Sequence, residues 1–168
     1  TDSIGDVLLT IPICLWIKKH FPQTKIVFLC KNYTVSVLKQ VSIIDQILTI
    51  DGLFDKSNSD QLEFFNKINA DWILHVFPNK NIAKLAKKAR IRNRVGTSHR
   101  LYHLLSCNQR VSFTRKKSSL HESQLNFHLL KPLGLNNIPS FEELNDLKNV
   151  IKNPDVKLPD ELLDFIKS

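Results

Sequence analysis

The segment Trp72-Ile73-Leu74-His75-Val76-Phe77, followed by Lys80-Asn81-Ile82-Ala83-Lys84-Leu85-Ala86-Lys87-Lys88-Ala89, decides the fold class. Its first part is a short, strongly apolar run of the kind that forms a buried strand. In its second part Ile82, Leu85, Ala86 and Ala89 fall on one helical face, and Lys80, Lys84, Lys87 and Lys88 on the other. A buried strand followed by an amphipathic helix is the front of a strand–helix–strand unit. Arg94-Val95-Gly96 supplies the short strand and turn that come next.

Upstream the same order repeats. Residues 25–30, with Ile26, Val27, Phe28 and Leu29 in sequence, read as a strand. Residues 33–41 carry Val37, Leu38 and Val41 at helical spacing, residues 46–50 form a short strand, Asp51-Gly52 a turn, and residues 60–69 a helix. The sequence opens on a turn over residues 1–5. A nearly all-apolar helix follows over residues 6–20, kinked at Pro12 and ended by Phe21-Pro22. Downstream, residues 121–133 read as a helix closed by Gly134. This alternation implies an α/β, Rossmann-like parallel sheet with helices on both faces. Such a sheet normally begins with a strand that feeds its first turn and helix. An apolar strand is therefore expected before Thr1, with a strand-sized apolar groove where it would sit. Residues 1–134 form the expected domain. Residues 135–168, polar and Pro-bearing with a short helix over 158–168, read as a linker toward a further domain.

Composition narrows the classes of function. Of 168 residues 42% are hydrophobic and 24% charged, the profile of an ordinary soluble globular protein. The longest apolar run, residues 7–17, is too short to span a bilayer and has no basic leader before it. Cys14, Cys30 and Cys107 form no CxxC, and three thiols at wide spacing suit a reducing, cytoplasmic compartment. His121-Glu122 could open an HExxH zinc motif, but its fifth position is Leu125, and no metal site is expected. Neither GxGxxG nor GxxxxGK[ST] occurs. The net charge of +8 is concentrated: residues 80–117 hold 12 Lys and Arg and no Asp or Glu. Such a block calls for an anionic partner, a solvated basic face being the alternative.

The stretch Ser3-Ile4-Gly5-Asp6-Val7-Leu8-Leu9-Thr10-Ile11-Pro12 resembles the opening of glycosyltransferase family 9, the lipopolysaccharide heptosyltransferases. Asp71-Trp72-Ile73-Leu74, the helix with Ala83 and Ala86 leading to Arg94-Val95-Gly96, and His121 followed by Leu129-Leu130 and Leu133-Gly134 agree in order and spacing. The resemblance covers most of residues 1–134. It implies the N-terminal, acceptor-side half of a GT-B enzyme, whose other half binds the nucleotide sugar, typically ADP-heptose. It also implies inverting transfer to an anionic, lipid-linked inner-core saccharide, with no cofactor or metal. The setting is cytoplasmic, with peripheral contact at the inner membrane. With no donor-binding half in its 168 residues, this chain alone is expected neither to transfer a sugar nor to bind the donor tightly.

By that resemblance Asp6 matches the general base. A carboxylate that takes the hydroxyl proton as the new bond forms suits glycosyl transfer. An aspartate in a first helical turn is also favoured by the macrodipole, which is the structural alternative. Gly5 would let the backbone turn tightly ahead of it. Ser3 reads as a helix cap that could touch the acceptor. Lys80, Lys84, Arg100, Arg115 and Lys116 suit acceptor phosphates and carboxylates. His121 suits either capping or the acceptor, while His75, Trp16 and Trp72 read as core. Two rival functions stay open: transfer from a different nucleotide sugar, and a basic nucleic-acid-binding module. The second is disfavoured because the block holds few aromatics, chiefly Tyr102 and Phe113, and no nucleic-acid motif.

Overall fold

The computed structural model describes residues 3–113, 118–140, 142–144 and 150. The apolar opening is two helices rather than one: α1 (Ile4–Leu8) and α2 (Ile11–His20). Pro12 has no N–H for the carbonyl of Leu8, and its ring would collide with that carbonyl. The first helix therefore stops at Leu8, and Pro12 sits in the first turn of α2, where no donor is needed. The break, at Leu9 and Thr10, falls two to three residues ahead of the proline, not at it. Thr10 Oγ1 bridges it by donating to the Asp6 carbonyl at 2.9 Å.

From α2 the chain enters β1 (Val27–Cys30), then a 3₁₀ turn and the short α3 (Val35–Leu38), then β2 (Gln46–Thr49). The two strands pair in parallel, Val27 opposite Gln46. α4 (Asn58–Ile68) is capped by Ser57, whose hydroxyl accepts from the Asp60 amide at 3.2 Å. β3 (Trp72–Leu74) leads to α5 (Lys80–Lys88), capped by Asn79 Oδ1 accepting from the amides of Asn81 and Ile82. Next come β4 (Asn93–Thr97), α6 (Leu101–Ser106), β5 (Gln109–Val111) and α7 (Glu122–Asn126). A 3₁₀ stretch, Phe127–Leu133, replaces the second half of the helix expected over 121–133 and ends at Gly134 with φ 96°. The helix expected over 158–168 lies outside the described residues. α6 and β5 have no counterpart in the sequence reading.

β3, β4 and β5 form a second parallel sheet in that order, Trp72 opposite Asn93 and Val95 opposite Gln109. Strand alternation sends side chains to two cores. Phe28 and Cys30 of β1 and Leu74 of β3 join α2 and the Phe127–Leu133 turn on one face. Leu29 and Ile73 join Phe65 of α4 and Leu85 and Ala86 of α5 on the other. Both sheets thus share both cores and form one interrupted layer with helices on each side. Trp16 and Trp72 are half-buried at core margins rather than central. Beyond Gly134 the packing takes in Leu135, Leu144 and Val150, and Ser42 donates its amide to the Val150 carbonyl at 2.8 Å.

The interruption is a groove of about 510 Å³ between β1 and β3. Residues 25–29 form one wall and residues 72–77 the other, with Ile13, Cys14 and Ile17 of α2 and Leu133 on one side and Ile82 on the opposite side. Among the described residues, β1 has a strand neighbour only in β2, and β3 only in β4.

Candidate functional site

In a parallel sheet, ligands gather at the carboxyl ends of the strands, where helix N-termini point. α5 starts from the carboxyl end of β3, and α6 from that of β4. α2 runs down to the amino end of β1, so α1 lies at the opposite, carboxyl edge. α7 is held to the same region by Asn126, fully buried, whose Nδ2 donates to the Leu9 carbonyl at 3.0 Å. Element order thus assigns to this end of the sheet Ser3 and Asp6 of α1, Lys80 at the start of α5, Arg100 at the cap of α6 and His121 at the cap of α7.

Ser3 and Asp6 form a reciprocal capping box. Asp6 donates its amide to Ser3 Oγ at 3.1 Å, and Asp6 Oδ2 accepts from the Ser3 amide at 3.0 Å. Ser3 is the cap its sequence suggested. Asp6 is half-buried, with one carboxylate oxygen used locally and Oδ1 without a partner among the described residues. Gly5 departs from expectation. It lies inside α1 without a positive φ, and an added Cβ would meet nothing closer than Ser3 Oγ at 3.6 Å, so no tight turn requires it.

Lys80 and Lys84 project from the exposed face of α5, and Arg100 is exposed at the start of α6. The described ion pairs, Lys18–Asp45 and Lys67–Glu63, both lie outside residues 80–117. The cations described there have no carboxylate partner among the described residues; all are exposed except Arg94, which is half-buried and donates to the Ser106 and Ile91 carbonyls. Arg115 and Lys116 lie outside the described residues. His121 is exposed and caps α7: its Nδ1 accepts from the Ser123 amide at 3.3 Å, and Gln124 Oε1 accepts from the His121 amide at 3.2 Å. Among the described residues no group of three His, Cys, Asp or Glu could hold a metal ion.

A histidine pair was only half seen in the sequence. His75 is buried as expected, but it is not a satisfied core histidine: its Nε2 has no hydrogen-bond partner among the described residues. Its ring lies 5.2 Å from that of fully buried His103, whose Nε2 is likewise unpaired. Burial, with the neighbouring His103 and Arg94 adding to it, pushes the His75 pKa down to about 3. Burial also lowers that of His103. Gly96 makes room for this pair, since a Cβ there would stand 2.6 Å from His103 Nδ1 and 2.7 Å from Cys107 Sγ.

Asp6 thus offers a carboxylate with an open oxygen, able to accept a proton, and the described cations of residues 80–117, without carboxylate partners among the described residues, can hold anionic groups. No protein-family model matches the sequence, and no curated protein matches it. Solved structures do match. The glycosyl transferase family 9 structure from Veillonella parvula DSM 2008 superposes with a TM-score of 0.64 at 21% identity, over 82% of this chain and 40% of that one. E. coli heptosyltransferase WaaC with ADP-2-deoxy-2-fluoro heptose superposes with a TM-score of 0.62 at 15% identity, over 83% of this chain and 48% of that one. The chain spans less than half the length of either, and at such identities the likeness is one of fold: this is the α/β, parallel-sheet architecture of one half of a GT-B glycosyltransferase.

Proposed function

We infer that the chain is the acceptor-binding half of a glycosyltransferase that moves a heptose from ADP-heptose to an anionic, lipid-linked inner-core saccharide. The observation that supports this reading is Asp6, half-buried, with one carboxylate oxygen held by the Ser3 amide and the other open, in a chain whose fold is that of half a GT-B enzyme. Asp6 Oδ1 takes the proton of the attacking acceptor hydroxyl, while Ser3 holds Oδ2 and fixes the carboxylate. Lys80, Lys84, Arg100 and His121 bind the acceptor's phosphate and carboxylate groups, with Arg115 and Lys116 extending the same basic segment. Heptose is named as the donor sugar by analogy with WaaC, solved with an ADP-heptose analogue. Donor choice itself would belong to the other half of such an enzyme. Inverting, metal-independent transfer is part of this reading by family resemblance; a single direct displacement with Asp6 as base would invert the anomeric centre.

The proposed domain includes a strand ahead of Thr1 that fills the groove between β1 and β3. The test of function is Asp6→Asn in the full-length enzyme, with transfer and melting temperature measured on one preparation. Turnover should collapse while the fold holds, and near-normal kcat would end the proposal for Asp6.

A further inference from the structure

Asp6 stands on a weak element. α1 has 5 residues, and a helix so short does not hold itself in water. Contacts from outside it must fix the backbone that carries the carboxylate. The Ser3 amide holds Oδ2 from the front. The rear is held at the break between α1 and α2.

Two carbonyls lose their helical donors at that break. The Thr10 amide donates to the Val7 carbonyl at 3.0 Å, instead of to the Asp6 carbonyl it would reach in a continuous α-helix. Thr10 Oγ1 donates to the Asp6 carbonyl in its place, at 2.9 Å. α2 begins at Ile11, so its ladder opens with the carbonyl of Thr10 and leaves that of Leu9 outside. Asn126 Nδ2 donates to the Leu9 carbonyl at 3.0 Å. Thr10 is 4% exposed and Asn126 0%, and satisfied polar bonds shut away from water are rigid ones.

We propose that Thr10 and Asn126 are positioning residues for Asp6. Thr10 locks the Asp6 backbone carbonyl, Asn126 locks the turn behind it onto α7, and together they aim the carboxylate at the acceptor hydroxyl. α7 also carries His121 at its cap, so the Asn126 bond ties the backbone behind Asp6 to that element. Because this role acts through Asp6, it stands on the reading of Asp6 as the proton acceptor. Satisfying an orphan carbonyl would by itself account for either side chain in the interior. Catalytic placement makes a sharper demand, since a shift of about 1 Å can cost on the order of 10²-fold in rate.

The test is steady-state transfer by the full-length enzyme, with the melting temperature read on each preparation. Thr10→Val keeps the shape and removes the hydroxyl; Asn126→Leu keeps a similar volume and removes the donor. Each should lower kcat about tenfold to a hundredfold while acceptor KM stays within about twofold. Thr10→Ser, which returns a hydroxyl, should recover most of that loss. In an Asp6→Asn background neither Thr10→Val nor Asn126→Leu should lower kcat further, because the group they aim is gone. A merely structural role would move the melting temperature and leave these kinetic patterns flat. Should Asn126→Leu fold poorly, Thr10→Val and Thr10→Ser decide alone. Near-parent kcat in Thr10→Val or in a folded Asn126→Leu, or losses that add in full to that of Asp6→Asn, would overturn the positioning role and leave Asp6 as the base. Near-parent kcat in Asp6→Asn would instead remove the base, and the positioning role with it.

Discussion

His75 carries the clearest pH signature of any single residue. Its pKa falls from near 6.5 unfolded to about 3 folded, chiefly through burial, so below pH 6.5 the unfolded chain binds a proton that the folded chain refuses. Stability is therefore fully present above about pH 6.5 and declines as pH falls toward 3, by at most about 1.4 kcal/mol per pH unit. Chemical denaturation at pH 7 and pH 5 should show this loss, and His75→Leu should flatten it. An unchanged pH slope in that variant would assign the acid sensitivity elsewhere. Asp6 is the opposite case, a residue whose role splits between structure and chemistry. Asp6→Asn keeps an oxygen able to accept from the Ser3 amide, so the cap survives, while proton transfer should lose about 10²–10⁴-fold in kcat. Asp6→Ala should lose that and about 1 kcal/mol of stability besides. From sequence alone both roles were open for Asp6. Ser3 was legible as the cap and Asp6 as a first-turn carboxylate, but that Asp6 closes back onto the Ser3 amide and leaves its second oxygen open was not. The unpaired nitrogens of His75 and His103 were invisible, because nothing in the local sequence says that residues 75 and 103 meet.

Among the elements, legibility followed the strength of the periodic signal. α5 appeared where its apolar stripe put it, and the strand cores 27–30 and 46–49 lay within the runs assigned to them, because alternation and burial act over several residues. α6 and β5 were missed for a physical reason. α6 exposes all three of its leucines and β5 spans only 3 residues, so neither shows a buried period. What fixes this region is tertiary. Asn108 accepts the Arg94 amide at 2.8 Å and donates to the Arg92 carbonyl at 2.8 Å, registering the end of α6 on β4. Gly96 admits His103 and Cys107 at distances no side chain would allow. Gly96→Ala should therefore cost about 1–3 kcal/mol, since buried His103 and Cys107 have little room to move. Thermal melts would read the loss, and an unchanged melting temperature would mean that α6 shifts freely. The α2 contact with the β1–β2 connection works more gently. Lys18 donates to Asp45 at 2.7 Å and holds its carboxyl below the usual range, as does the Ile26 amide. The pair is solvent-screened, so Asp45→Asn should cost no more than about 1 kcal/mol. That stability is present above the ordinary aspartate pKa and lost as pH falls through the folded value.

At the scale of the molecule, the unusual feature is a parallel sheet interrupted at its centre. α2 lies over the groove and runs into the amino end of β1, the place of the helix in the proposed strand–helix–strand unit. Right-handed crossovers put the first strand of such a unit in the same sheet, with the helix packed over it. The position left beside β1 is the groove, and on its far side β3 offers the second edge. Its lining by Ile13, Cys14, Ile17, Phe28, Leu74 and Val76 suits an apolar strand covered on both faces, and Cys14, its thiol pushed up to about 12 by burial, behaves there as a small hydrophobe. The proposed occupant is the residues directly ahead of Thr1, running parallel to β1 and β3. Two forms separate the outcomes: residues 1–168 alone, and the same residues with their natural upstream extension. The short form should bind a dye specific for exposed apolar surface and show fast amide exchange along the groove edges of β1 and β3. The extended form should lose dye binding and protect those amides. A net gain of about 2 kcal/mol should also raise its melting temperature by roughly 4–8 °C. An extension that left dye binding and exchange unchanged would show that the groove takes some other occupant, and would remove the strand from the proposed domain.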